Sequence, residues 1–487
     1  MTPTEFTTPE WVHHAVFYQI FPDRFASSPQ VPKPGNLEPW DAPPSLYGFK
    51  GGDLLGIAER LDYLQDLGIT AIYCTPVFQS ASNHRYHTYD YFQVDPLLGG
   101  NPALSHLLDQ AHRRGMRVVL DGVFNHASRG FWPFHHILET GAASPYLDWF
   151  KVHDFPLNAY SGAPNYDSWW NLPALPVLNV ANPQVRDYIY QVARYWVEQG
   201  IDGWRLDVPF EIREPGFWPE FRRVVKQANP EAYLTGEIPN DGTPWLQGDQ
   251  FDGVMNYLLA YGVWGFFGGP AVEPAAIGPW MTHAGGWMPA DAPGFLQLAG
   301  DLLQRYPRPA VLAQLNLLDS HDTARFHTLL QGRRDLFRLA TLFQMTYPGA
   351  PCIYYGNEIG LEGSHDPDNR RAFPWDESRW DHELRGYVQD CVRERHAHRA
   401  LRDGEFLPLY AEGQRLLYAR RSPRETLLVA INRAEQPWRP EAPLQELLPE
   451  GSGLRVALGP AGQARVFQGR LDGLTLPPFS GALLVEA

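Results

Sequence analysis

Cysteine is scarce. The 487 residues hold three, Cys74, Cys352 and Cys391, in apolar or helical contexts and without metal-type spacing. A disulfide framework is therefore not expected, and a reducing compartment is the simpler setting. Positive charge is also short. Forty Lys and Arg stand against 55 Asp and Glu, a net charge of −15, so no basic field invites nucleic acid or an anionic membrane as partner. No apolar run reaches the roughly 18 residues of a membrane span. The opening stretch, MTPTEFTTPEWVHHAVF, has no basic region followed by an apolar core, so no signal peptide is expected and the cytoplasm is the default location. Internal repeats and low-complexity tails are missing too.

What is plentiful is apolar and aromatic. Hydrophobic residues make up 44% and charged residues 20%, which supports a large core and argues against disorder. Sixteen Trp and 23 Tyr exceed what packing usually requires. Sugar rings present flat CH faces that stack on such side chains; an aromatic-rich core is the plainer alternative.

The stretch 203–211, GWRLDVPFE, has the period of a strand: Trp204, Leu206 and Val208 alternate with Arg205 and Asp207. Arg205 and Asp207 share a face, and a guanidinium that close holds a carboxylate ionised and oriented. Glu237 follows Asp207 by 30 residues, inside a second strand-like run, 232–238. That spacing is one strand–helix–strand unit, with 215–230 as the crossover helix. Neighbouring strands lie about 4.8 Å apart, so the two carboxyls are expected close together. Retaining glycosidases need a carboxyl pair about 5–5.5 Å apart, one as nucleophile and one as acid/base.

Strand-like and helical runs alternate from about residue 15 to 400. Strands are expected at 15–21, 71–77, 117–124, 203–209, 232–238, 253–259, 312–319 and 351–355. Asp53 caps a helix whose Ile57, Leu61, Leu64 and Leu67 form one face. Further helices are expected at 102–115, 182–200, 336–347 and 384–398. Eight such repeats predict an α/β fold, a closed (β/α)8 TIM barrel with its active site at the strand C-termini. The barrel is expected over 1–126 and 180–402, a small inserted subdomain after strand three over 127–179, and a C-terminal all-β sandwich domain over 403–487. Acids and histidines at four strand ends, in DGVFNH, GWRLDV, GEI and SHDTAR, point to chemistry rather than chance.

These motifs resemble the α-amylase family of glycoside hydrolases. GITAIYCTPVF (68–78), DGVFNH (121–126), LPVLN (175–179), GWRLDVPFE (203–211), GEI (236–238), LLDSHD (317–322) and YYGNEIGLEGSHDPDNRRAFPW (354–375) follow the family order across nearly the whole chain. SNHRYHTYDYFQVDP (82–96) and Glu211 look most like the neopullulanase, cyclomaltodextrinase and maltogenic amylase branch. The resemblance implies Asp207 as nucleophile, Glu237 as acid/base and Asp322 as the acid that grips ring hydroxyls of the distorted sugar. It implies that Arg205, His126 and His321 contact the same sugar, that Tyr86 stacks beneath it beside His84, and that Asp366 and Arg370 hold the next sugar on the non-reducing side. Asp121 and Asn125 look architectural. The substrate class implied is a short or cyclic maltooligosaccharide cleaved at α-1,4 bonds, with α-1,6 bonds in range, through a covalent glycosyl-enzyme. Transglycosylation and α-glucosidase, sucrose- or trehalose-directed activity are the alternatives within the family. A non-catalytic member is disfavoured because all three acids remain.

Departures from the family pattern are local. Pro209–Phe210 precedes Glu211 where a small residue and Asn are common, and Pro239–Asn240 follows the acid where Trp–His is common, so the leaving-group side is altered. His87 stands where Asp often follows the stacking tyrosine. The chain begins almost at the barrel, without the branch's N-terminal β domain, and a monomer is expected. The calcium loop after Asp23–Arg24–Phe25 reads ASSPQVPKPGN; it keeps Gly51 and Asp53 but loses most oxygen ligands, so no metal and no cofactor is expected. Trp169 and Trp170 in the insert are candidates for a stacking platform, with simple packing of the insert as the alternative.

Overall fold

A computed structural model of the chain describes residues 6–272 and 288–487. Eight short parallel strands form its centre: β1 Phe17–Ile20, β2 Ala71–Cys74, β3 Arg117–Gly122, β4 Gly203–Leu206, β5 Tyr233–Gly236, β6 Gly253–Val254, β7 Leu315–Leu317 and β8 Ala350–Tyr354. Their hydrogen-bonded order is β6-β5-β4-β3-β2-β1-β8-β7, and a parallel bridge between Met255 and Leu315 closes the ring. Every strand residue but Arg117 is buried, as befits strands covered by helices outside and side chains within. This is the (β/α)8 barrel the alternation predicts, accompanied by an antiparallel all-β C-terminal sheet.

Two elements depart from expectation. The apolar face from Ile57 to Leu67 belongs to two helices, Leu54–Glu59 and Leu61–Asp66, separated at Arg60, whose φ and ψ of −107° and 8° leave helical geometry. The run 253–259 is strand for only two residues. The Asn256 side chain then accepts the Leu259 N–H and caps the helix Tyr257–Val263, which passes into a wider π-helical turn at Trp264–Gly268. A short apolar run does not distinguish a buried strand from a buried helix.

The segment between β3 and the helix Pro183–Glu198 holds a helix, Trp132–Thr140, and antiparallel bridges pairing His126 with Val177, Phe150 with Leu178 and Ser168 with Pro176. Part of the aromatic surplus is spent here: Phe134 packs edge-on against Phe150 and Tyr166, each at 4.9 Å. Beyond residue 404, strands β9 Glu405–Glu412, β10 Arg415–Ser422, β11 Glu425–Asn432, β12 Gly453–Leu458, β13 Gln463–Phe467, β14 Arg470–Asp472 and β15 Ser480–Glu486 form one antiparallel ladder in the order β9-β10-β11-β15-β12-β13-β14. One face, with Leu416, Tyr418, Val429, Ile431 and Leu483, joins the barrel core. The other, with Leu417, Leu428 and Leu484, packs with Val466 and Leu471, so the ladder bends over a core of its own.

Barrel register places the polar residues. Arg205 lies beside Asp121 on β3 and Thr235 on β5. Leu206 pairs with Gly236, so Asp207 and Glu237 leave their strands at the same level. The ladder extends that far, with Asp207 N–H donating to the Gly122 carbonyl at 3.1 Å and Glu237 N–H to the Leu206 carbonyl at 2.9 Å.

Candidate active site

One guanidinium organises the floor of the site. Arg205 is fully buried, and its Nη1 donates to Asp121 Oδ1 and Oδ2 at 3.0 and 3.1 Å and to Asp207 Oδ1 at 2.9 Å. Nη2 stands 3.0 Å from Glu237 Oε2 and 4.0 Å from Asp322 Oδ2 as ion pairs rather than directed hydrogen bonds. Nε meets the Met255 sulfur at 3.4 Å. A single strand side chain therefore touches the acids of β3, β4 and β5 and lies near that of β7. Buried charge is costly unless paired, and this cation is what lets so many carboxyls share one dry space.

The acid on β5 has a second anchor. Glu237 Oε2 accepts the Val208 N–H at 3.0 Å, and Val208 holds φ 35° and ψ 49°, the left-handed region. For a β-branched residue that conformation costs of order 1–3 kcal/mol. It turns the amide following Asp207 toward its neighbour's carboxylate.

A hydrogen-bond relay runs under the floor from β1. Gln19 Nε2 meets His321 Nδ1 at 2.7 Å, His321 Nε2 meets the Tyr86 hydroxyl at 2.5 Å, and that hydroxyl donates to Asp121 Oδ2 at 2.8 Å. Tyr73 donates to the same oxygen at 2.7 Å. With the Gln19 amide donating, His321 accepts at Nδ1 and carries its proton on Nε2. Burial, Arg205 and Arg370 hold that ring neutral, its pKa well below the ordinary histidine value. His321 Nε2 also lies 3.2 Å from Asp322 Oδ2. Arg370 extends the line, with Nη2 at 3.5 Å from Asp322, Nη1 at 3.0 Å from Asp366 and Nε donating to the His321 carbonyl at 2.9 Å.

Burial pushes both the Asp207 and Glu237 carboxyls up, Arg205 opposes both, Glu237 further raises Asp207, and Asp121 raises each. Glu237 rises to about 7, Asp322 adding to the effect. Two facing acids in this setting share a proton through neutral pH. Asp207 accepts a directed guanidinium hydrogen bond and Glu237 does not, so the arrangement favours the proton on Glu237. One ionised and one protonated carboxyl on adjacent strand ends can attack a carbon and protonate the oxygen leaving it.

Above the floor is a cavity of about 310 Å³. Asp207, Glu237 and Asp322 line its base, Asp366 and Arg370 one flank, and His84 and Tyr86 lie at the β2 side. His84 accepts the Tyr86 N–H at Nδ1, 3.2 Å, and His87 packs edge-on against its ring at 5.1 Å. Burial lowers the pKa of His87 to about 4 and that of His126 to about 3, so both are neutral rings. His126 Nε2 is buried, and no well-formed hydrogen bond reaches it from the described residues. The insert supplies the remaining wall. Trp169 stacks on His126 at 5.0 Å and 18°, and Trp170 on Trp169 at 4.3 Å and 10°.

The residues singled out in the sequence thus fall into three groups. Asp207, Glu237, Asp322, Tyr86, His84, His126, Asp366 and Arg370 line one cavity. Arg205 and His321 lie beneath it and hold its carboxyls. Phe210 and Glu211 stand off it, on the turn Pro209–Glu211, with Glu211 exposed 3.9 Å from Arg213. Sequence reasoning missed Gln19 and Tyr73. A lone glutamine inside the apolar strand AVFYQIF was the available signal, since buried polar groups need partners.

The loop after Arg24 is held by side-chain ammonium groups. Lys33 Nζ lies 3.0 Å from Asp53 Oδ2 and donates to the Leu97 carbonyl at 2.6 Å. Lys50 Nζ donates to the Pro39 and Ala42 carbonyls at 2.7 and 2.6 Å. Asp53 already accepts the Ser28 and Gly56 N–H groups. Its carboxylate is thus fully engaged, and these residues do not fit a calcium ion, which wants six to eight oxygen ligands.

Two family models match the chain: the alpha amylase catalytic domain over residues 19–404 and the neopullulanase-like C-terminal domain over 406–484. A cyclomaltodextrinase from a Bacillus species is 46% identical over 431 residues, spanning 88% of this chain and 74% of that protein. The crystal structure of a debranching enzyme from Nostoc punctiforme superposes with a TM-score of 0.90 at 47% identity, covering 99% of this chain and 100% of the other. A cyclic α-maltosyl-(1→6)-maltose hydrolase from Arthrobacter globiformis, in complex with that sugar, gives 0.86 at 34% identity over 98% of this chain and 100% of its own.

Proposed function

The chain belongs to the α-amylase family of glycoside hydrolases, and from that premise we propose that it is a retaining α-glucan hydrolase. Its substrates are short or cyclic maltooligosaccharides, cleaved at α-1,4 and α-1,6 glucosidic bonds. The observation that carries this reading is the pair Asp207 and Glu237, released at one level from adjacent strands and touched by the two terminal nitrogens of one guanidinium. The substrate class rests on the cyclomaltodextrinase, the debranching enzyme and the cyclic α-maltosyl-(1→6)-maltose hydrolase among its relatives.

In this mechanism ionised Asp207 attacks the anomeric carbon as Glu237 gives its proton to the departing glycosidic oxygen. Glu237, now a carboxylate, takes a proton from water, whose oxygen displaces Asp207 and restores the starting α configuration. Asp322, oriented by Arg370, binds ring hydroxyls of the flattened sugar. The orphaned His126 Nε2 points at a further hydroxyl partner, and Tyr86 lies under the ring. Asp366 and Arg370 hold the preceding glucose.

We place the enzyme in the cytoplasm because its three cysteines are free and buried; no described helix is long and apolar enough to cross a membrane. It acts as a monomer, consistent with exposed large hydrophobic residues that are few among the described residues. The test is direct: incubation with maltotriose, panose, pullulan and β-cyclodextrin, products resolved by mass, and proton NMR of the first anomer released. Fresh α-anomer and maltose-sized products are expected. A β-anomer, or turnover of sucrose or trehalose alone, contradicts the reading.

A further inference from the structure

Trp170 is built against the ordinary preferences of a tryptophan. It holds φ 51° and ψ 29°, its neighbour Asn171 holds φ 56°, and it is 61% exposed. Large apolar side chains are normally buried, and left-handed backbone is normally left to glycine. Trp169 is the one ring Trp170 meets among the described residues. Packing therefore gains little from this side chain, and strain kept without a packing return clusters where ligands bind.

Its position is defined by what it continues. The stack starts at His126, beyond β3, passes through Trp169 and ends in Trp170, whose outer face is a flat ring on the cavity. Trp169 is tied to the cavity wall by its backbone N–H, which donates to the Leu175 carbonyl at 2.9 Å. The opposite flank is closed by the ion pair of Arg370 and Asp366, beyond β8. Next to β3 in the barrel come β4 and β5, whose ends carry Asp207, Val208 and Glu237. The stack thus rises on the side from which Glu237 must reach the departing oxygen.

We propose that Trp170 is a specificity-determining residue, a platform on which a glucose ring of the leaving group, or of an incoming acceptor sugar, stacks. This rests on the reading of Asp207 and Glu237 as nucleophile and acid/base. An acceptor held there competes with water: its hydroxyl oxygen attacks the anomeric carbon, the bond to Asp207 breaks, and the hydroxyl proton passes to Glu237. Trp170 then governs both chain-length preference and the share of transfer over hydrolysis.

The test compares maltotetraose with α-maltosyl fluoride, whose leaving group is a fluoride ion and puts no sugar on that side. In Trp170→Ala the ratio of kcat/KM for maltotetraose to that for α-maltosyl fluoride is expected to fall about tenfold, mainly through KM, the scale of one lost ring contact. Trp170→Phe restores most of it. Transfer to added maltose falls in parallel. A ratio unchanged within about twofold overturns the platform, as does an equal loss on both substrates, which puts the ring on the donor side. A failure of Phe to rescue also counts against it. Wild-type enzyme that turns over neither substrate overturns the catalytic reading, and the platform with it.

Discussion

The floor of the cavity and the wall that rises from His126 are built by opposite means. The floor is strand-end residues: Arg205, Asp121, Asp207 and Glu237, all buried, placed by barrel register and locked by hydrogen bonds and ion pairs. The wall is loop: rings held by stacking, a strained backbone, and an indole face open to solvent. Bond-breaking chemistry tolerates little misplacement, so it sits where register over-determines position. Choice of substrate tolerates variation and sits on a loop that changes without disturbing the barrel.

The largest effect belongs to the floor. Asp207→Asn and Glu237→Gln are each expected to cut kcat by at least about 10²–10⁴-fold with the circular dichroism spectrum unchanged. Either variant keeping a tenth of wild-type kcat breaks the distinction, because the floor would then not hold the chemistry.

Stability should divide the same way. Arg205→Met strips the shared cation from a cluster of buried carboxyls and is expected to cost about 3–5 kcal/mol in urea unfolding. Trp170→Ala, on an exposed side chain, should stay within about 0.5 kcal/mol. Equal losses for the two would mean that the wall is part of the core.

The pH profile sharpens the contrast further. Glu237 is raised to about 7 by burial and by Asp322, against Arg205. The protonated acid is present below that value and lost above it. Measured kcat/KM on maltotriose should therefore decline above about pH 7, tenfold per unit, with Asp207 still ionised. Trp170→Ala should leave the limb where it is, since the charged groups that shift Glu237, Arg205, Asp322 and Asp121, all belong to the floor. A limb that moves with the tryptophan contradicts the separation of roles.

The smallest effect concerns the loop after Arg24. Lys33→Ala leaves Asp53 short of a partner and is expected to cost about 1–3 kcal/mol, whereas a chelator should change neither Tm nor activity. A Tm drop on chelation that calcium reverses would show a cation site elsewhere.

How much of this was legible depended on range. Barrel strands announce themselves as short apolar runs, and GWRLDVPFE with GEI placed both carboxyls because thirty residues is one βαβ unit. Arg205 as a hub for Asp121, Asp207 and Glu237 follows from strand alternation plus neighbour pairing. The partners of His321 do not: Gln19 reaches it across 302 positions of chain. The break at Arg60 and the early end of β6 were hidden because apolar spacing reads the same through a kink or into a helix. That Trp170 stacks on Trp169 goes with two consecutive left-handed residues, 170 and 171, which no propensity suggests for Trp. Lys33 meeting Asp53 was equally invisible, since charge pairs across an irregular loop have no period.

The central claim is that Asp207 forms a covalent bond with the sugar, and trapping it is the most direct test. The enzyme is treated with 5-fluoro-α-D-glucosyl fluoride, digested with pepsin and sequenced by tandem mass spectrometry. One sugar ester is expected, on Asp207 of the peptide carrying GWRLDVPFE. A label on Glu237 or Asp322, or turnover with inversion and no trapped ester, would contradict it.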